Sequence, residues 1–203
     1  MKSQLKVEII ANGKPMNIYS HKRRNFVAAE EKTEFGIRVF NSSAMRILAV
    51  ISIDGLSIVT GQPTIFDEGG YIISALGNAD IRGWRINNEE IASFMFADTP
   101  GAYLNRFSIP KPENIGVIEI GLYKEKAFAA PLNLGHDAPA EGADIRLPRK
   151  IQGIALSDAM GSSDRNGLVV GFQREDFPVH AIIINYNTAE NLRRGGIDIP
   201  IVS

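Results

Sequence analysis

Residues 24–61, RNFVAAEEKTEFGIRVFNSSAMRILAVISIDGLSIVTG, carry the reading that decides the fold class. In EFGIRVF, Phe35, Ile37 and Val39 alternate with Glu34, Arg38 and Phe40, the period-two pattern of a strand with one face toward a core. NSSA follows as a turn, because Asn and Ser side chains bond their own backbone. MRILAVISI is apolar at almost every position, which points to a strand buried on both faces. Asp54-Gly55 accepts the positive φ of a tight hairpin and closes that strand onto LSIVTG. The segment reads as strand, turn, strand, turn, strand, and is expected to form a sheet meander.

The same signals extend in both directions. QLKVEII alternates, Asn12-Gly13 is a hairpin turn, PMNIYS is the expected return strand, and HKRR is a solvated basic corner. Downstream, QPTIFDEGG reads as a corner, YIIS as a short strand and ALGNA as a turn. DIRGWRI is a strand with Gly83 in its middle, which marks a bulge or a close backbone approach. NNEEIASFMFAD admits a helix capped by Asn88, but the shared face of Phe94 and Phe96 favours a turn followed by a strand. IGVIEIGLYKEK and FPVHAIIINYN are strands, and IQGIALSDA and NGLVVGFQRE flank a turn at MGSSDRNG. TAENLRRGG is a short helix capped by Thr188 and stopped by Gly195-Gly196, after which the apolar tail IDIPIVS docks. Residues 127–150, rich in Ala, Pro and Gly, form a long loop or an arm. The expected architecture is a single domain over 1–203: an antiparallel β-sandwich, jelly-roll-like or Ig-like, with one short C-terminal helix. A β-barrel is the alternative.

Composition sets bounds on function. The chain has 203 residues, 44% hydrophobic and 22% charged, with a formal net charge of -1. That near-neutral balance argues against nucleic acid, whose binders need a basic surface, and against a polybasic membrane anchor. Cysteine is absent, which excludes disulfides, thiolate catalysis and zinc–thiolate sites. MKSQLKVEII has no apolar core for a signal peptide, and no apolar run approaches the ~20 residues of a membrane helix. Cytoplasmic synthesis is expected.

Chemistry-bearing patterns are sparse. Of the three histidines, His21 sits among Lys22, Arg23 and Arg24, and His180 opens an apolar strand. His136 adjoins Asp137 in the long loop, half of an acid–base or metal site, although neighbours on an extended segment point apart. Gly161-Ser162-Ser163 lacks the nucleophile-elbow spacing, and the acids around Asp164 lack the calcium-loop pattern. No phosphate loop or dinucleotide fingerprint is present. Asp67-Glu68 and Glu89-Glu90 are neighbours, whereas acid–base pairs converge from separate elements. Trp84, flanked by Arg82 and Arg85, is the one tryptophan. An exposed Trp84 suits stacking on a sugar or a partner protein, and a buried one is a core residue with outward arginines.

ILAVISIDGLSIVTGQP, GYIIS, IRGWR and IASFMF, in that order, resemble a group of uncharacterised bacterial and phage-borne β-rich proteins with the pattern D-G-L, G-Y, I-x-G-W-R, A-x-F-x-F. The resemblance spans about Val7 to Tyr123, and more weakly GLVVGF and TAENLRRGGI. It implies that Asp54, Gly55, Gly83, Trp84 and Arg85 belong to a common signature, and it implies no activity.

The expectation is therefore a non-enzymatic structural or assembly protein that self-associates, or joins another structural protein in a larger particle such as a phage virion. Neither cofactor nor metal nor catalytic residue is assigned. One alternative is a carbohydrate- or ligand-binding module using Trp84, Arg85, Tyr71 and Tyr103. Another is a hydrolase near the 127–150 loop, with His136 and Asp137 at its edge.

Overall fold

Three tight turns set the hairpins. β1 (Leu5–Ala11) turns at Asn12-Gly13 into β2 (Lys14–Pro15), with Ala11 opposite Lys14. β3 (Ile18–His21) turns at Lys22-Arg23 into β4 (Arg24–Ala29), with His21 opposite Arg24. β6 (Ile47–Ile53) turns at Asp54-Gly55 into β7 (Leu56–Ser57), with Ile53 opposite Leu56. All six turn residues have positive φ, the backbone twist that matches the twist of the flanking strands. Only glycine enters that region without steric cost, so Asn-Gly and Asp-Gly are the natural letters. Lys22-Arg23 adopts it without glycine.

This computed structural model describes residues 4–64, 69–85, 91–96, 114–126 and 172–201. The remaining strands are β5 (Glu34–Asn41), β8 (Tyr71–Ile73), β9 (Asn78–Ile81), β10 (Gly83–Arg85), β11 (Ile91–Met95), β12 (Val117–Lys124) and β13 (His180–Thr188). They form two sheets. One runs β10-β11-β5-β1-β2, with β9 also on β5, and the other runs β3-β4-β13-β12-β6-β7, with β8 also on β6. Every pairing is antiparallel except β4 with β13, which is parallel. Among the described residues neither sheet closes into a barrel.

The expected meander does not form. β4, β5 and β6 alternate between the two sheets rather than lying side by side. The connections explain this: residues 30–33 and 42–46 are longer than the two-residue loops that hold paired strands, and they let the chain cross to the facing layer. The return strand expected at PMNIYS is likewise only Lys14–Pro15, and Ile18–His21 has already crossed.

The two sheets bury one common core. Leu5, Val7, Ile9, Phe35, Ile37 and Val39 of the first meet Val27, Ile51, Ile118, Ile120, Leu122 and Ile184 of the second. The molecule is a mainly β sandwich. β6 is buried on both faces as its unbroken apolar run predicts, and β5 alternates as its period predicts. DIRGWRI is interrupted at Arg82, which separates β9 from β10. Phe94 and Phe96 share the core face, so IASFM is a strand.

One short helix, α1 (Ala189–Arg194), closes the described chain. The Thr188 side chain accepts the Asn191 N–H, Gly196 takes a positive φ beyond the helix end, and Arg193 and Arg194 lie in the last turn. Leu192, Ile197 and Ile199 then cover Tyr19, Phe26 and Ala28 in a small second core. Among the described residues no helix is long and apolar enough to cross a membrane.

Candidate functional site

Three regions of the sandwich hold features beyond packing: its two outer faces and a cleft at the seam between the sheets. The register of the six-stranded sheet places Glu8 opposite Arg38 and Arg38 opposite Asp80. Arg38 holds both Asp80 carboxylate oxygens, at 2.5 and 2.8 Å, and Lys6 bonds Glu8 at 2.6 Å. The Arg38 hydrogen bond keeps the Asp80 carboxyl below its ordinary range. This face is a charge ladder.

The seven-stranded sheet carries different letters on the side away from the core. The corresponding rungs are Ser52, Glu119 and Ile183, then Val50, Gly121 and Ala181. Ser52 on β6 is covered, and Glu119, Ala181 and Ile183 are exposed. Along β13 and its approach, Phe177, Val179 and Ile183 are 81%, 41% and 54% exposed, and Ala181 between them is exposed too. Alternation explains Ala181 and Ile183: Ile182 and Ile184 take the core side, which leaves the odd positions of β13 outward. Phe177 and Val179 precede the strand where the backbone bends, and the Val179 N–H bonds the Leu122 carbonyl at the entry to β13. The result is a run of exposed apolar side chains on β13 and its approach.

The cleft opens at one end of the sandwich. Phe35, Trp84, Phe94 and Met95 come from the first sheet, and Ile53, Asp54, Leu56 and Tyr186 from the second. It is narrow: its interior space is about 10 Å³, room for about one water molecule. Asp54 lies within a dense set of donors. The Tyr186 hydroxyl stands 2.8 Å from each carboxylate oxygen, and the Gly116 and Val117 N–H groups reach Oδ1 at 2.7 and 3.4 Å. The Asp54 N–H donates to the Val117 carbonyl, and the Tyr186 N–H to the Gly116 carbonyl, so β12 lies clamped between turn and strand. Burial pushes the Asp54 carboxyl above its ordinary range, against the opposing pull of Tyr186 and the two backbone donors. Among the described residues no cation pairs with Asp54, and a buried carboxyl in a cleft is a candidate functional position.

Of the sequence-derived candidates, only the Trp84 and Tyr71 side chains lie among the described residues. Trp84 is half-buried, lines the cleft and meets the Phe94 ring edge-on at 5.5 Å and 85°. It is neither an open platform nor a fully sealed core residue. Arg82 points outward, within 4.0 Å of Asp80. Tyr71 is 9% exposed and packs in the core, because β8 pairs with β6 and turns it inward. Arg85 ends β10, and its side chain, with Tyr103, His136, Asp137 and the whole 127–150 segment, lies outside the described residues. Among the described residues no group of three or more His, Asp or Glu side chains is placed to hold a metal.

The residues that sequence reasoning missed are Asp54 as a charge, Tyr186, and the exposed apolar run at β13. Asp54 was legible only as a turn former. The run had a signal, since Val179, Ala181 and Ile183 alternate with His180 and Ile182 in a segment apolar on both parities. Comparison with known proteins gives no match: no family model fits the chain, and no curated protein and no solved structure matches it significantly.

Proposed function

We propose that this chain is a non-enzymatic structural or assembly protein that associates with copies of itself through the outer face of the seven-stranded sheet. The observation that carries the reading is the run of Phe177, Val179, Ala181 and Ile183, three large apolar side chains and one small one exposed on β13 and its approach. Covering such side chains is worth roughly 25 cal/mol per Å² of apolar surface, and flat sheet faces are readily matched by a second copy. The net charge of -1 supports self-contact, because copies repel one another only weakly. The likeness of the D-G-L, G-Y, I-x-G-W-R signature to phage-borne proteins makes a virion the particle of choice. In this reading residues 127–150 are a second contact, an arm laid on a neighbour.

Light scattering behind a sizing column, at several concentrations of the full chain, tests the reading. A mass several times 22.2 kDa is expected. A monomer at every concentration overturns it.

A further inference from the structure

The seven-stranded sheet ends on one side in β3, and among the described residues no strand pairs with the outer edge of β3. The hairpin dictates which backbone groups are left over. Its two-residue loop, Lys22-Arg23, closes on a hydrogen-bonded pair, His21 with Arg24, and such pairs recur at every second residue. Tyr19 and His21 therefore turn their N–H and C=O groups to β4, and Ile18 and Ser20 turn theirs outward. Charged side chains usually blunt an edge of this kind, but Ile18, Tyr19 and Ser20 carry none. Ile18 is 42% exposed, and Ser20 is exposed too. The charges lie beyond the strand. Lys22, Arg23 and Arg24 are all exposed at the hairpin tip, and at the far end of β4 the exposed Glu30 and Glu31 outnumber the exposed Lys32. β4 thus separates a positive tip from a negative corner.

We infer that two copies of the chain pair antiparallel through the β3 edge, each basic tip reaching the acidic corner of the other. A twofold axis perpendicular to the sheet keeps each face on its own side, so opposed residues share parity. Tyr19 opposite its own copy meets that condition and sets Ile18 against Ser20, the two residues whose backbone groups point outward. About four backbone hydrogen bonds form, and the two Ile18 side chains become diagonal neighbours on one face. The same register carries Lys22 and Arg23 past the start of the other copy's β3. That start lies beside the end of β4, since Ile18 pairs with Val27. The tip therefore arrives about two strand spacings, ~10 Å, from the Glu30 corner, within the combined reach of the long side chains. A parallel pairing would set the two tips together, where like charges repel. An unrelated polyanion would use the tip alone and leave the edge bare. The edge contact rests on the assembly reading only for its consequence. A single twofold contact through the sheet face closes at a dimer, and a second one on other residues extends it.

The experiment follows self-association of the full chain by sedimentation equilibrium, in a background of Ile183→Lys that weakens the face contact. A reversible dimer is expected to persist there. Ser20→Pro removes an outward N–H and keeps the bonds to β4, because proline is tolerated on a strand edge. It is expected to weaken the dimer by at least about tenfold while the melting temperature changes little. Arg23→Glu is expected to weaken it by about tenfold, and Glu30→Lys added to Arg23→Glu to restore it, which a change in folding would not do. A monomer in the background chain, a dimer indifferent to Ser20→Pro, or no restoration by the paired charge reversal overturns the inference. Failure of the face contact reads out separately, as an Ile183→Lys substitution that leaves the mass of the parent assembly unchanged.

Discussion

The two outer faces of the sandwich stand on the same architecture and differ in their letters. On the six-stranded sheet the rung across β1, β5 and β9 reads Glu8, Arg38, Asp80, each charge beside an opposite one. On the seven-stranded sheet the rungs across β6, β12 and β13 read Ser52, Glu119, Ile183 and Val50, Gly121, Ala181. Docking another protein on the first would strip water from paired charges, which seldom returns a net gain. Docking on the second removes apolar surface from water. The inward residues of both sheets are largely apolar, with the buried Asn41 of β5 an exception, so the two faces differ chiefly in the outward half of their strands.

The most drastic way to break the comparison is to remove the frame that holds both faces. Phe94 is 1% exposed and touches the rings of Phe35 and Trp84 at 5.4 and 5.5 Å. Phe94→Ala is expected to cost about 3–5 kcal/mol of folding stability, measured by urea denaturation. A loss below about 1 kcal/mol would mean that the Phe94 ring contributes little to the packing of the core.

Ile183→Lys acts on one face alone. It places a cation beside Glu119 in the midst of the apolar run, and is expected to weaken self-association by about a hundredfold while the melting temperature changes little. Sedimentation equilibrium reads the first and calorimetry the second. Unchanged association would move the contact away from β13.

Two aspartates sharpen the contrast through pH. The folded-state pKa of Asp54 is raised, so the folded chain binds a proton more readily there than the unfolded chain does. Its stability therefore rises as pH falls through that raised value, and the ionised form is a burden at neutral pH. Asp54→Asn is expected to raise the melting temperature at pH 7, with the gain shrinking under acid. Asp80 has the opposite sign. Its pKa is lowered by Arg38, so its contribution is present above the unfolded value and is lost as pH falls through the folded one. Asp80→Asn should lower the melting temperature slightly at pH 7 and converge on the parent in acid. The effect is small because the pair is open to solvent. Parallel pH curves for the two variants would contradict both assignments.

What the sequence makes legible here has local causes. Asn12-Gly13 and Asp54-Gly55 announce their hairpins because the backbone needs positive φ at both positions. The alternation of β5, the unbroken run of β6 and the Thr188 cap each act within a few residues. The rest depends on distant contacts. β4 pairs in parallel with β13, which brings Asn25 beside Ile184, and nothing in either segment encodes the other. Tyr71 reads as an available aromatic until β8 is laid on β6. Asp54 and Tyr186 lie 132 positions apart in sequence, so the residue that makes the cleft chemically distinctive looks, in its own neighbourhood, like an ordinary turn.

The central claim is that the seven-stranded sheet meets another copy through its outer face. Because the chain has no cysteine, single probes report without background. Ile183→Cys and Arg38→Cys place one thiol on each face, and a short bismaleimide linker joins only thiols that lie close together. Covalent dimer from Ile183→Cys, with monomer from Arg38→Cys, is the result predicted. Equal crosslinking from the two faces, or none from Ile183→Cys at concentrations where the protein is oligomeric, would contradict it.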